Sequence, residues 1–131
     1  MVWDLLQYRR FLASRNDVDG AAISVHGVDA GALIALYAAA LEPGFLAIQA
    51  DNLLASYRYY LENDQPQPLS LCVPGVLEVI DIPQVAALAA PTPLTVTGLV
   101  GFGRETLAGG QSDWAYAQQV YGLLEAPYSV P

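Results

Sequence analysis

The stretch from Ala30 to Leu41, AGALIALYAAAL, contains no charged residue and is apolar on nearly all sides, so as a helix it belongs inside a protein. Short apolar runs flank it. Ala21–His26 (AAISVH) comes before, bounded by Gly27, and Phe45–Ala50 (FLAIQA) comes after the stop signal Glu42-Pro43-Gly44. A strand, an interior helix and a second strand in such close succession form a βαβ unit, whose strands are parallel with a right-handed crossover. This unit places the chain in the α/β class.

The other segments are read in the same way. Val2–Arg15 sets Trp3, Leu5, Leu6, Tyr8, Phe11 and Leu12 mostly on one helical stripe and stops at Asn16-Asp17. Asn52–Glu62 reads as a helical excursion, followed by a polar loop over Asn63–Pro68 and a mixed segment, Leu69–Ile80, broken by Pro74-Gly75. Pro83–Ala90 reads as a short helix with proline in its first turn and Asp81 near its N-cap. Leu94–Thr97 is β-branched and strand-like, and Gly98–Gly110 reads as a glycine-rich loop. Ser112 is placed to cap a helix over Asp113–Glu125, and Pro127–Val130 begins a fourth strand. The expected architecture is one domain over residues 1–131. It has three layers, a mostly parallel sheet of three to four strands, and helices on both faces.

Charge and composition exclude several functions. Five Lys plus Arg against 13 Asp plus Glu give a net charge of −8, which repels a phosphate backbone and argues against a nucleic-acid partner. No run approaches the roughly 18 apolar residues of a membrane span, and the start lacks a basic segment followed by an apolar one. The expected location is therefore cytoplasmic, with no membrane partner. A single cysteine, Cys72, and a single histidine, His26, cannot assemble a zinc site, so no metal and no cofactor are expected. The chain has no lysine, which removes a phosphate-binding reading of the glycine-rich loop.

One stretch joins these elements to chemistry. Gly27-Val28-Asp29-Ala30-Gly31 lies between the first strand and the apolar helix. Its position and glycine spacing are those of the nucleophile elbow, GxSxG, of α/β-hydrolases, with Asp29 where that motif has serine. The surrounding text resembles the acetyl-xylan-esterase and dienelactone-hydrolase type of that superfamily over nearly the whole chain. The resemblance lies in Asp17-Val18-Asp19, Leu36–Leu41, Leu54–Arg58, Val73–Leu77, Asp81-Ile82-Pro83, Ala86-Ala87-Leu88 and Ala90–Leu94, in one order. It implies a partial α/β-hydrolase fold, with Asp29 at the nucleophile position and Ala30 offering an oxyanion N–H. The triad acid implied after Gly98 is absent, since the text reads Thr97-Gly98-Leu99-Val100-Gly101, leaving Glu105 as the nearest carboxylate. No histidine occupies the family's position.

The chemistry of these residues decides what to expect of them. A carboxylate attacking an acetyl ester gives a mixed anhydride, and without a base an ester intermediate accumulates, so the favoured role of Asp29 is to cap the helix. His26, on the strand itself, cannot swing to the base position and is expected to be satisfied or solvated. Asp51 ends the second strand on the same sheet edge as Asp29, where it could join an acid–base or cation site, against capping as the simpler role. Tyr57 and Arg58, with Tyr59 and Tyr60, could face a carbohydrate, against packing over the sheet. The resemblance thus implies a catalytically defective hydrolase-like domain or a piece of a longer esterase-like protein. The rival is an active carboxylic-ester hydrolase completed by an oligomeric partner or an upstream region. The expected partners are an ester or carbohydrate-ester ligand and a second copy bound through an exposed sheet edge.

Overall fold

The structure, a computed structural model, describes residues 1–63, 73–101 and 111–131. Helix α1 (Val2–Ala13) leads into β1 (Val25–Val28), α2 (Ala30–Leu41), β2 (Ile48–Leu54) and α3 (Tyr57–Asn63). A 3-10 turn over Val76–Glu78 precedes α4 (Ile82–Ala89), β3 (Leu94–Val100), α5 (Gln111–Leu123) and β4 (Tyr128–Ser129). The strands form one four-stranded sheet in the order β1-β2-β3-β4, and each neighbouring pair is parallel. The α/β class and the parallel sheet are as the sequence leads one to expect.

Helix α2 has the bounds expected of it and buries Ala32, Leu33, Ala35, Leu36, Ala38 and Ala39. The alanines let it lie close to β1 and β2, and burying Leu33 and Leu36 contributes about 2 kcal/mol each. Helix α4 packs beside α2, and α5 beside α4. Helix α1 is fastened to the start of the α2–β2 loop by two arginines, Arg10 through Glu42 and Arg9 more extensively. Arg9 donates from Nε and Nη2 to the Gly44 carbonyl at 3.1 and 2.8 Å, pairs with Glu42 at 3.2 Å and lies over the Phe45 ring. A Cβ on Gly44 would fall 1.7 Å from Arg9 Nη2.

Several boundaries differ from the sequence reading. The first strand begins at Val25 rather than Ala21, because Asp19 folds the chain into a turn. Its carboxylate accepts from the Ala21 N–H and its carbonyl from the Ala22 N–H, both at 3.0 Å. Strands β2 and β3 run on to Leu54 and Val100, through residues read as an excursion and a loop. Both kink at matching places, Asn52 at φ 52° and Gly98 at φ 85°. These residue types accept the left-handed region, so the strands continue past the kink in step, Leu53 against Leu99. Helix α5 starts at Gln111, which puts Ser112 inside its first turn. Residues 64–68 of the expected polar loop, Cys72 and Glu105 lie outside the described residues.

The strands alternate strictly before the kink. Ile48, Ala50, Leu94 and Val96 are buried with Gly27 on the face under the helices, while His26, Val28, Gln49, Thr95 and Thr97 are exposed on the other. Among the described residues, α2 packs beside α4 and α4 beside α5. The second face meets solvent only before the kink, since the successive residues Leu53, Leu54, Leu99 and Val100 past it are all buried.

A buried polar junction ties α3 to α4. Asp81, 8% exposed, caps α4 in a capping box with Gln84 and accepts the Ile82 N–H at 2.7 Å. The same carboxylate accepts the Tyr57 N–H at 2.7 Å, the Arg58 N–H at 3.3 Å and the Ser56 hydroxyl. One side chain thus satisfies the exposed N–H groups of two helix starts. Asp81→Ala is expected to lower the unfolding free energy by about 3 kcal/mol, read from the urea midpoint at unchanged slope. A loss below about 1 kcal/mol would mean that the helix starts do not depend on it.

Candidate functional site

The turn from β1 into α2 is the most constrained point of the backbone. A Cβ on Gly27 would meet the Gly31 carbonyl oxygen at 2.2 Å and the Ala32 nitrogen at 2.6 Å, so only glycine lets the strand pass this close to the helix start. Two residues on, Asp29 has φ 53° and ψ −119°, a conformation that costs a residue with a Cβ about 1–3 kcal/mol. Its N–H is bonded to the Asp51 carbonyl at 2.9 Å and its carbonyl accepts from Ala32 at 3.0 Å, so the strained residue is held from both sides. Its side chain makes no capping hydrogen bond to α2, contrary to the capping role favoured from the sequence. Ala30 is the first residue of the helix.

Asp51 lies beside this elbow, on the solvent face of the sheet. Its Oδ2 is 2.8 Å from His26 Nε2, and Oδ1 accepts from Gln49 Nε2 at 3.4 Å. The His26 contact, then those of Gln49 and Thr97, hold the Asp51 carboxyl below the usual carboxylate range. His26 is satisfied and solvated as expected, but its specific partner escapes the sequence reading. Parallel pairing sets His26 against Gln49 and Val28 against Asp51, which makes His26 and Asp51 diagonal neighbours on one face. The alternation in each strand is the signal that would have found the pair.

The remaining candidates fall elsewhere. Tyr57, 5% exposed, is packed in the core, and Arg58 is exposed above the Asp81 junction, at a small cleft shared with Gln84 and Asp113. The predicted residues therefore divide into Asp29, Ala30 and Asp51 at the elbow, and Tyr57 and Arg58 at the junction. Among the described residues, no group of three or more His, Cys, Asp or Glu side chains is placed to hold a metal ion. No helix among them is long and apolar enough to cross a membrane. Comparison with family models, with curated proteins and with solved structures finds no match to this chain.

The Asp51 carboxyl has a depressed folded-state pKa. The stabilisation it supplies is therefore present above the unfolded value and lost as pH falls through the folded one. Followed by carboxyl-carbon NMR, Asp51 is expected to titrate below 3.8 and to move up towards that value in His26→Ala. An unchanged midpoint in the variant would contradict the pairing.

Proposed function

We propose that this chain is an α/β-hydrolase-like domain of the acetyl-xylan-esterase type that has lost ester turnover and acts by binding, or as a piece of a longer esterase-like protein. The observation that carries the reading is the geometry of Asp29. A residue with φ 53° and ψ −119°, between a parallel strand and a helix and two positions after a glycine that admits no Cβ, supports the reading of this turn as a nucleophile elbow. The residue displayed there is an aspartate.

The surroundings of Asp29 support the loss of turnover. The sole histidine, His26, is upstream on the same strand with Nε2 engaged by Asp51, on the solvent face of the sheet. A serine-type mechanism needs a hydroxyl nucleophile and a base within hydrogen-bond reach of it, and Asp29 supplies no hydroxyl. The elbow keeps what a binding site needs, a helix start and backbone groups at the carboxyl end of a parallel sheet, where an ester or carbohydrate ester would sit.

Hydrolysis of a chromogenic aryl acetate by purified protein tests this. Folded wild-type protein, Asp29→Ala and heat-treated protein are all expected to match the buffer rate. Turnover by the wild type that disappears in Asp29→Ala would overturn the reading in favour of an active carboxylic-ester hydrolase completed by a second chain.

A further inference from the structure

The sheet has two edges, and they are not equivalent. At one end β4 is two residues long. At the other, β1 presents Val25–Val28 with no strand on its outer side among the described residues. The Val25 and Asp29 N–H groups point to β2, bonded to Ala47 and Asp51, so the intervening His26 and Val28 N–H groups point outward. Alongside this edge runs a groove of about 230 Å³, whose walls include Leu5, Tyr8 and Leu12 of α1 with Ile23, Val25 and Phe45. Tyr8 in its wall and Phe11, which does not line it, are 60% and 55% exposed, with ring centroids 6.4 Å apart. An open strand edge beside an apolar helix face is the combination that accepts an added strand.

We infer that the β1 edge pairs antiparallel with the β1 edge of a second copy of this chain, with α1 of each copy covering α1 of the other across a two-fold axis. A two-fold axis makes identical strands antiparallel, so each copy's outward N–H and C=O groups meet those of the other. It also brings each exposed Tyr8 and Phe11 towards the same residues of the copy, whereas an isolated added strand fills the groove and leaves Phe11 in water. Charge points the same way. At a net charge of −8, two copies repel unless they meet where charges are internally closed. This side of the molecule largely meets that condition: Asp4 is paired with the N-terminal amine, Arg9 and Arg10 with Glu42, and Arg15 with Asp17, while the exposed Asp19 carboxylate accepts the Ala21 N–H. The inference does not depend on the reading of the elbow.

Sedimentation velocity over a wide concentration range, on the whole chain, tests it. A concentration-dependent dimer is expected. His26→Pro removes the outward N–H at an edge position that tolerates proline, and should raise the dissociation constant at least about tenfold. His26→Ala keeps the N–H and should leave the dimer intact. Tyr8→Glu, on an exposed helix position, should weaken it in the same way as His26→Pro, and decides the matter alone if the proline variant does not fold. A monomer at every concentration, a dimer indifferent to both His26→Pro and Tyr8→Glu, or equal weakening by His26→Pro and His26→Ala would each overturn the inference.

Discussion

A Cβ on residue 27 would stand 2.2 Å from the carbonyl oxygen of Gly31, and this close approach of strand to helix organises the rest of the molecule. It lets β1 turn directly into α2, which brings the alanine-lined flank of α2 down onto β1 and β2. It also forces the residue between them into a conformation that residues with a Cβ avoid. The strain at Asp29 persists because its backbone is bonded forward to Ala32 and sideways to Asp51, so neither neighbour can relax without opening the sheet or the helix. Strained backbone of this kind collects at sites that present a side chain, which ties the fold to the proposed function.

The second organising feature is the one-sided packing of the sheet. Parallel sheets are commonly covered on both faces and built from continuous apolar runs. Here the strands alternate, with Ile48, Ala50, Leu94 and Val96 under the helices and His26, Gln49, Thr95 and Thr97 in water. The solvent face is held by its own hydrogen bonds, of which His26 to Asp51 is the shortest described there. Past the paired kinks at Asn52 and Gly98 the alternation stops, and Leu53, Leu54, Leu99 and Val100 are all buried. The sheet therefore changes from half-covered to fully buried along its length, with the elbow near the changeover.

Much of this was legible in the residues. The charge-free run Ala30–Leu41 fixes an interior helix with the observed bounds, and its flanking apolar runs imply the parallel crossover. Asp81 was legible as an N-cap because it precedes a proline-containing first turn, but its second task at Tyr57 was not, since that bond links positions 24 apart in sequence. The exposed sheet face was hidden by the short apolar runs, which read as buried strands because alternation over four residues is too brief to separate from a buried segment. The elbow was visible as spacing alone. Its strain, and the missing cap bond from Asp29, are properties of backbone angles that residue types do not encode directly.

The claim that residue 29 occupies a strained elbow rather than an ordinary helix cap is tested most directly by thermal unfolding of Asp29→Gly. Glycine relieves about 1–3 kcal/mol of backbone strain and costs about 0.5–1 kcal/mol in chain entropy. The side chain gives α2 no capping bond, and the account predicts that relief of strain outweighs both the chain entropy and the other side-chain interactions lost, which raises Tm. A lower Tm in the glycine variant would show that the aspartate side chain supports the turn, and would contradict the elbow on which the functional reading rests.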